Sequence, residues 1–165
     1  MSTLSHKRVL ALDPHPLCFG FVVTEDRDEL IDWGVRSFRH GANAVKATTS
    51  ERLASLIDEY RPNALLVRTP GAGISRRMKM IATLAATRRL PIRTLSLAMI
   101  RKDFPQANRN KHEIAKAVAD RYPTLLPYLP VKRKPWQSEH YRTTIFVAAA
   151  LVLTDFAQHH KRKGK

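Results

Sequence analysis

The sequence has few of the residues and segments that disulfide-stabilised and membrane proteins require. Cys18 is the only cysteine in 165 residues, so an internal disulfide framework is excluded and a reducing compartment is expected. The longest strongly apolar run, Ile145–Leu153, is much shorter than the ~20 residues of a membrane-spanning helix. No signal-peptide pattern opens the chain. These features predict a cytoplasmic protein that does not enter a membrane.

Acidic residues are also scarce, and the shortage is confined to one part of the chain. The sequence has 29 Lys and Arg against 14 Asp and Glu, a net charge of +15. Residues 1–65 carry 8 basic and 9 acidic residues, whereas residues 66–165 carry 21 and 5. Because cations placed on phosphates release counterions, this asymmetry predicts a nucleic-acid partner. A solvated basic face, a ribosome-like role and a membrane-surface role are the alternatives.

The hydrophobic pattern predicts one α/β domain over residues 1–158, followed by a basic tail over residues 159–165. Three strands joined by short turns precede alternating helices and strands, an order that predicts a mixed five-stranded sheet with helices on both faces. The predicted strands are Arg8–Asp13, Phe19–Thr24, Leu30–Phe38, Ala64–Val67 and Ile92–Leu95. The predicted helices are Thr49–Tyr60, Ser75–Thr87, Leu97–Lys102, Lys111–Tyr122 and a buried final helix from a Ser138 cap to Gln158.

Asp13 is the first candidate functional residue, because it ends an apolar strand directly before Pro14. A carboxylate at the end of a buried strand is held rigidly, which suits a metal ligand in phosphate chemistry. The alternative is an Asp that caps the turn before Pro14.

The opening of the chain resembles that of RuvC-type Holliday junction resolvases. The similarity rests on the motif L-A-L-D-P at residues 10–14, followed by Gly20 and the apolar residues 21–23. Ala148–Leu151 is similar to the alanine-rich run of their final helix, and the order of elements resembles the ribonuclease H-like fold. The resemblance implies that fold, a homodimer, and Mg²⁺-dependent cleavage of branched DNA in recombination, with Mn²⁺ as a substitute ion.

The resemblance also implies a set of acids that this sequence supplies only in part. It places an Asp on the first strand, a Glu at the end of the fourth and acids in the final helix. Asp13 matches the first, but Arg68 follows the fourth strand, and Val147 and Ala150 stand where inward acids are expected. Glu139 is the one acid near the start of the final helix. Asp13 and Glu139 are therefore the candidate catalytic and metal-ligating residues. The alternative for Glu139 is an acid in the first turn of a helix, where it interacts favourably with the helix dipole.

The position of Arg68 affects the predicted function. Its guanidinium is expected to pair with Asp13 and to compete with Mg²⁺ for that carboxylate. We therefore expect a binding protein for branched or distorted DNA with weak or lost nuclease activity. One alternative is an active Mg²⁺-dependent junction endonuclease in which Asp103 joins Asp13 and Glu139. The other is a basic scaffold subunit of a nucleoprotein complex.

Basic residues in three segments are the candidate DNA contacts. One group follows the glycine-containing turn Gly71–Ser75, another lies on the fourth predicted helix, and the third is the K-R-K-P-W run. Trp136 in that run either stacks on an unpaired base or anchors the loop in the core. The predicted nucleic-acid-binding residues are Arg76, Arg77, Lys79, Lys111, Lys132, Arg133, Lys134 and Trp136.

Overall fold

The computed structural model describes residues 7–16, 18–37, 49–69, 75–107 and 110–164. Five strands form one sheet in the order β3-β2-β1-β4-β5. β1 pairs antiparallel with β2 and β2 with β3, whereas β1–β4 and β4–β5 are parallel. The predicted mixed five-stranded sheet is confirmed. The strands are β1 Arg8–Pro14, β2 Cys18–Glu25, β3 Glu29–Ser37, β4 Ala64–Arg68 and β5 Ile92–Leu95.

Helices cover both faces of the sheet, as the element order predicts. Two short 3₁₀ helices, Pro105–Ala107 and Pro123–Tyr128, accompany the α-helices. Within the described ranges, no helix is both long enough and apolar enough to cross a membrane. The α-helices are α1 Thr49–Tyr60, α2 Ser75–Thr87, α3 Leu97–Asp103, α4 Lys111–Arg121 and α5 Thr143–Lys163.

The alternation of side chains along β1 divides the core into two layers. Val9 and Ala11 pack with residues of α3, α4 and α5, whereas Leu10 and Leu12 pack with residues of α1 and α2. Successive side chains of a strand point to opposite faces. Asp13 therefore belongs to the same face as Val9 and Ala11, beneath α4 and α5.

Helix α5 is the central element of its layer, and its first turn lies directly on β2. A Cβ added to Gly20 would lie 2.4 Å from the backbone carbonyl carbon of Thr144. Only a residue without a side chain allows this approach. Gly20 is the register partner of Asp13, so the first turn of α5 is fixed beside the candidate acid.

The final helix differs from its prediction at both ends. It begins at Thr143 rather than after a Ser138 cap, and it continues through Lys163 beyond the predicted end at Gln158. The residues before it form turns, in which Gln137 accepts a hydrogen bond from the Lys134 backbone N–H at 2.9 Å. Glu139 therefore lies in an irregular segment that precedes the helix, and the expectation that it occupies the first helical turn is wrong.

Candidate functional site

The buried carboxylate of Asp13 is the centre of the candidate site. Leu12 of β1 and Val67 of β4 are register partners in parallel strands. Asp13 is the residue after Leu12, and Arg68 is the residue after Val67. Asp13 and Arg68 therefore leave neighbouring strands at the same level and on the same face. Arg68 Nε donates a hydrogen bond to Asp13 Oδ1, and Arg68 Nη2 donates to the Pro14 carbonyl at 3.0 Å. The predicted Asp13–Arg68 ion pair is confirmed.

Both members of this ion pair are shielded from water. Asp13 is 1% exposed, and the side chain of Arg68 is 14% exposed. Burial raises the pKa of Asp13 above its ordinary value, and the Arg68 guanidinium opposes that rise. The ionised form of Asp13 therefore depends on Arg68, and a divalent cation at this carboxylate would have to displace the guanidinium.

A second ion pair lies close to the first. Lys111, the first residue of α4, contacts Glu139 in the segment before α5, with Nζ 3.0 Å and 2.9 Å from the two carboxylate oxygens. The charge of Lys111 lowers the pKa of Asp13 and that of Glu139 raises it, although burial has the larger effect. The structure thus brings Asp13 and Glu139 into one electrostatic neighbourhood, and each acid has its own cation.

Asp103, the acid named as a third partner in the endonuclease alternative, does not join this neighbourhood. Its Oδ1 lies 3.5 Å from Lys161 Nζ, near the last turns of α5. Asp13 lies beside Thr144 in the first turn of the same helix, and 17 residues of α-helix span roughly 25 Å. The expectation that Asp103 joins Asp13 and Glu139 is therefore wrong.

These residues do not fit a pair of Mg²⁺ ions. Two-metal cleavage requires several oxygen ligands that converge on two ions about 4 Å apart. Across the described part of the chain, no group of three or more His, Cys, Asp or Glu side chains is arranged to hold a metal. Val147 is buried in the α5 layer, and Arg68 and Lys111 already neutralise the two acids. The site has the charge balance of two ion pairs.

A basic cavity of about 550 Å³ adjoins the Glu139 pair. It lies between the start of α4, the end of α3 and the segment 130–140. The Asn110 side chain caps α4, because its Oδ1 accepts a hydrogen bond from the His112 N–H at 2.8 Å. Positive charge dominates the lining, and backbone N–H groups at a helix start favour anions. The cationic and imidazole side chains that line it are Arg101, Lys111, His112, Lys132, Arg133 and His140.

Three of these lining residues, Arg101, His112 and His140, were not candidates in the sequence. A usable signal was present for His112, because Asn110 directly before a helical stripe indicates a helix N-terminus. No comparable signal marks Arg101 or His140, since each reaches the cavity only through the packing of α3 and the turn before α5.

The segment that carries the K-R-K-P-W run is exposed. Lys132, Arg133 and Lys134 face solvent, and Arg133 Nη1 donates to the Gln137 carbonyl at 2.8 Å. Trp136 is 78% exposed, with Lys134 Nζ 5.4 Å from its ring centroid. An indole with this exposure does not anchor the loop in the core. Of the two interpretations of Trp136, stacking on an unpaired base is therefore retained as a prediction.

The predicted contacts on α2 have two different environments. Arg76 and Lys79 are exposed, and they stay candidate DNA contacts. Arg77 instead donates hydrogen bonds to the carbonyls of His15 and Pro16, and burial lowers its pKa. Arg77 therefore fixes the turn that follows β1. The glycine-containing turn that was predicted before this helix, residues 71–74, lies outside the described residues.

Two solved structures share this architecture over nearly the whole chain. The structure of Thermus thermophilus RuvC in complex with Holliday junction substrate superposes with a TM-score of 0.58 and 17% identity, covering 93% of this chain and 96% of that one. The fold is RuvC-like. A second Thermus thermophilus RuvC structure has a TM-score of 0.54 and 15% identity, covering 89% of this chain and 91% of that one. No family model and no curated protein matches the sequence.

Proposed function

We propose that this protein binds branched or distorted DNA through a RuvC-like fold, and that its metal-dependent nuclease activity is weak or lost. The observation that carries the proposal is the Arg68 guanidinium bound to the buried Asp13 carboxylate. A permanent cation stands where the resemblance to the resolvases places an acid, so metal binding at Asp13 is opposed.

The binding part of the proposal is supported by the distribution of charge. Residues 66–165 carry 21 of the 29 basic residues, and these include the cations around the 550 Å³ cavity. The cavity includes the Lys111–Glu139 ion pair in its lining, so a DNA strand in it would meet cations on several sides. One structure of similar fold was determined in complex with Holliday junction substrate, which favours branched DNA as the partner.

The loss of cleavage follows from the ligands that the site lacks. Activation of water and stabilisation of the leaving oxygen both depend on divalent ions held by carboxylates. Among the described residues, the acids at this site are Asp13 and Glu139, and both are already ion-paired. Opening either pair for Mg²⁺ would expose an uncompensated cation to the incoming metal, which costs electrostatic free energy.

The experiment compares binding and cleavage of a labelled four-way junction with those of a duplex of equal length. We expect the junction to bind more tightly, with an affinity that falls with salt, and to remain uncut in Mg²⁺ or Mn²⁺. Asp13→Asn should leave binding intact or slightly stronger, because it removes a negative charge from the phosphate site. Asp58→Asn is the matched control, since it removes one acid from an exposed pair with Arg88.

Two outcomes would replace this proposal with an alternative. Efficient Mg²⁺-dependent cutting of the junction, abolished by Asp13→Asn, would make the protein an active junction endonuclease. Weak binding to both DNA forms, without salt dependence, would favour a basic scaffold subunit whose partner is a larger nucleoprotein.

A further inference from the structure

Exposed apolar side chains are concentrated in one short part of the described structure. Six large hydrophobic residues are exposed among the described residues, and all of them except Met99 lie in the segment 126–141. Exposed apolar surface of this kind marks interaction sites. The five residues of the segment are Leu126, Tyr128, Val131, Trp136 and Tyr141.

Two of these residues, Tyr128 and Tyr141, border a groove of about 310 Å³ beside β3. The Arg142 guanidinium lies 5.8 Å from the ring centroid of Tyr128 and 5.7 Å from that of Tyr141. The Tyr128 ring meets Trp33 edge to face, with centroids 5.9 Å apart. The groove therefore combines three aromatic rings with the Arg142 cation, and Asp32 also belongs to its lining.

The floor of the groove is the outer strand of the sheet. Residues 32–35 of β3 line it, and β3 is the edge strand. An edge strand presents backbone N–H and C=O groups on its outer side. A flat ring in the groove can therefore stack on tyrosine and also hydrogen-bond to polar backbone groups.

The groove and the basic cavity share a thin wall. His140 lines the cavity and Tyr141 lines the groove, and their rings are stacked with centroids 4.5 Å apart. His140 is held in place because its Nδ1 accepts a hydrogen bond from the Arg142 N–H at 3.2 Å. A DNA strand can thus place a phosphate in the cavity while an adjacent base enters the groove.

We propose that the groove of Trp33, Tyr128, Tyr141 and Arg142 binds one unpaired nucleobase. The inference rests on the proposed DNA binding and adds a base site that is separate from Asp13 and from Trp136. The volume of about 310 Å³ is at the lower end of small-molecule sites, which suits a single base. The ring faces, the Arg142 guanidinium and the adjoining basic cavity favour a base attached to phosphate over an apolar peptide.

The test uses the full chain and three matched duplexes: fully paired, with one unpaired thymine, and with one abasic residue at the same position. We expect the thymine bulge to bind about tenfold more tightly than the abasic bulge, the range of one base–aromatic stack. Tyr141→Ala should remove this preference, and Tyr128→Ala should reduce it. Tyr141→Phe keeps the ring and should retain the preference.

Leu126→Ala is the matched control, because Leu126 is 57% exposed and Tyr141 is 53% exposed, and only Tyr141 lines the groove. An unchanged preference in Tyr141→Ala, or a preference abolished by Trp136→Ala instead, would overturn the proposal. Equal binding of the thymine and abasic bulges would also overturn it and leave the groove as a protein-binding surface. Absence of binding to any of the three duplexes and to the junction would instead refute the proposed DNA binding.

Discussion

Substitution of Arg68 by methionine should leave the Asp13 carboxylate buried without its ion-pair partner. Methionine has a similar length and no charge, so it fills the space of the side chain and removes only its polar contacts. Two acceptors lose a donor, namely Asp13 Oδ1 and the Pro14 carbonyl. The perturbation therefore tests whether the guanidinium is the group that keeps this acid ionised in the core.

The expected loss is large because both partners are shielded from water. Asp13 is 1% exposed and the Arg68 side chain 14%, and removal of one member of such a pair costs about 3–5 kcal/mol of unfolding free energy. With a urea dependence of ~2 kcal/mol per molar, the unfolding midpoint should fall by about 2 M.

The direction of the Asp13 pKa shift determines how the stability of Arg68→Met changes with pH. Burial already raises the pKa of Asp13, and Arg68 opposes the rise, so Arg68→Met should raise this pKa further. The folded state then holds a proton more tightly than the unfolded state, and its stability falls as pH rises. The deficit relative to wild type should be largest at pH 7 and should shrink toward the ordinary Asp pKa of about 3.9.

Urea unfolding followed by tryptophan fluorescence at pH 7 and pH 5 measures this effect. Asp13→Asn combined with Arg68→Met removes the unpaired charge and should recover much of the loss. Arg88→Met breaks the exposed pair with Asp58 and should change the midpoint little at either pH. A deficit in Arg68→Met that is equal at both pH values, or that Asp13→Asn fails to relieve, would refute the assignment of Asp13 as the acid that depends on Arg68.

Further predictions concern DNA binding and packing. If about six phosphates are contacted, the logarithm of the junction affinity should fall with the logarithm of salt concentration with a slope near −5, measured by titration at several salt concentrations. Alanine at all positions of Lys132–Lys134 should weaken junction and duplex binding alike, measured by anisotropy, since phosphates carry no shape information. Trp136→Ala should weaken binding to junctions or single strands more than to duplex, and equal losses would exclude stacking. Gly20→Ala places a Cβ 2.4 Å from the Thr144 backbone and should lower the free energy of unfolding by about 1–3 kcal/mol. Gly34→Ala, whose nearest contact is a Phe21 ring carbon at 3.1 Å, should cost less in the same urea assay.

Much of the fold was predictable because strand and helix periods are local properties of the sequence. The apolar run of β1 and the stripe of Leu53, Leu56 and Ile57 on α1 each specify their element without reference to the rest of the chain. The Asp13–Arg68 pair was also predictable, because the resemblance to the resolvases places the ends of the first and fourth strands at one site, and β1 and β4 are parallel neighbours. The start of α5 was not, because Ser138 is a favourable cap in isolation, and its segment is held in turns by contacts with Gln137.

The charge asymmetry, the order of elements and the acid near the end of the first strand can all be read from the amino acids alone. The partner of Glu139 and the contacts between aromatic rings became visible only in the packed molecule. Lys111 reaches Glu139 across 28 positions of sequence, and Trp33 of β3 meets Tyr128 of the segment before α5. Neither contact has a periodic signature, because each depends on how α4, α5 and the edge of the sheet pack together. The balance between acids and cations that opposes metal binding is therefore a property of the packed site, although every residue in it is visible in the sequence.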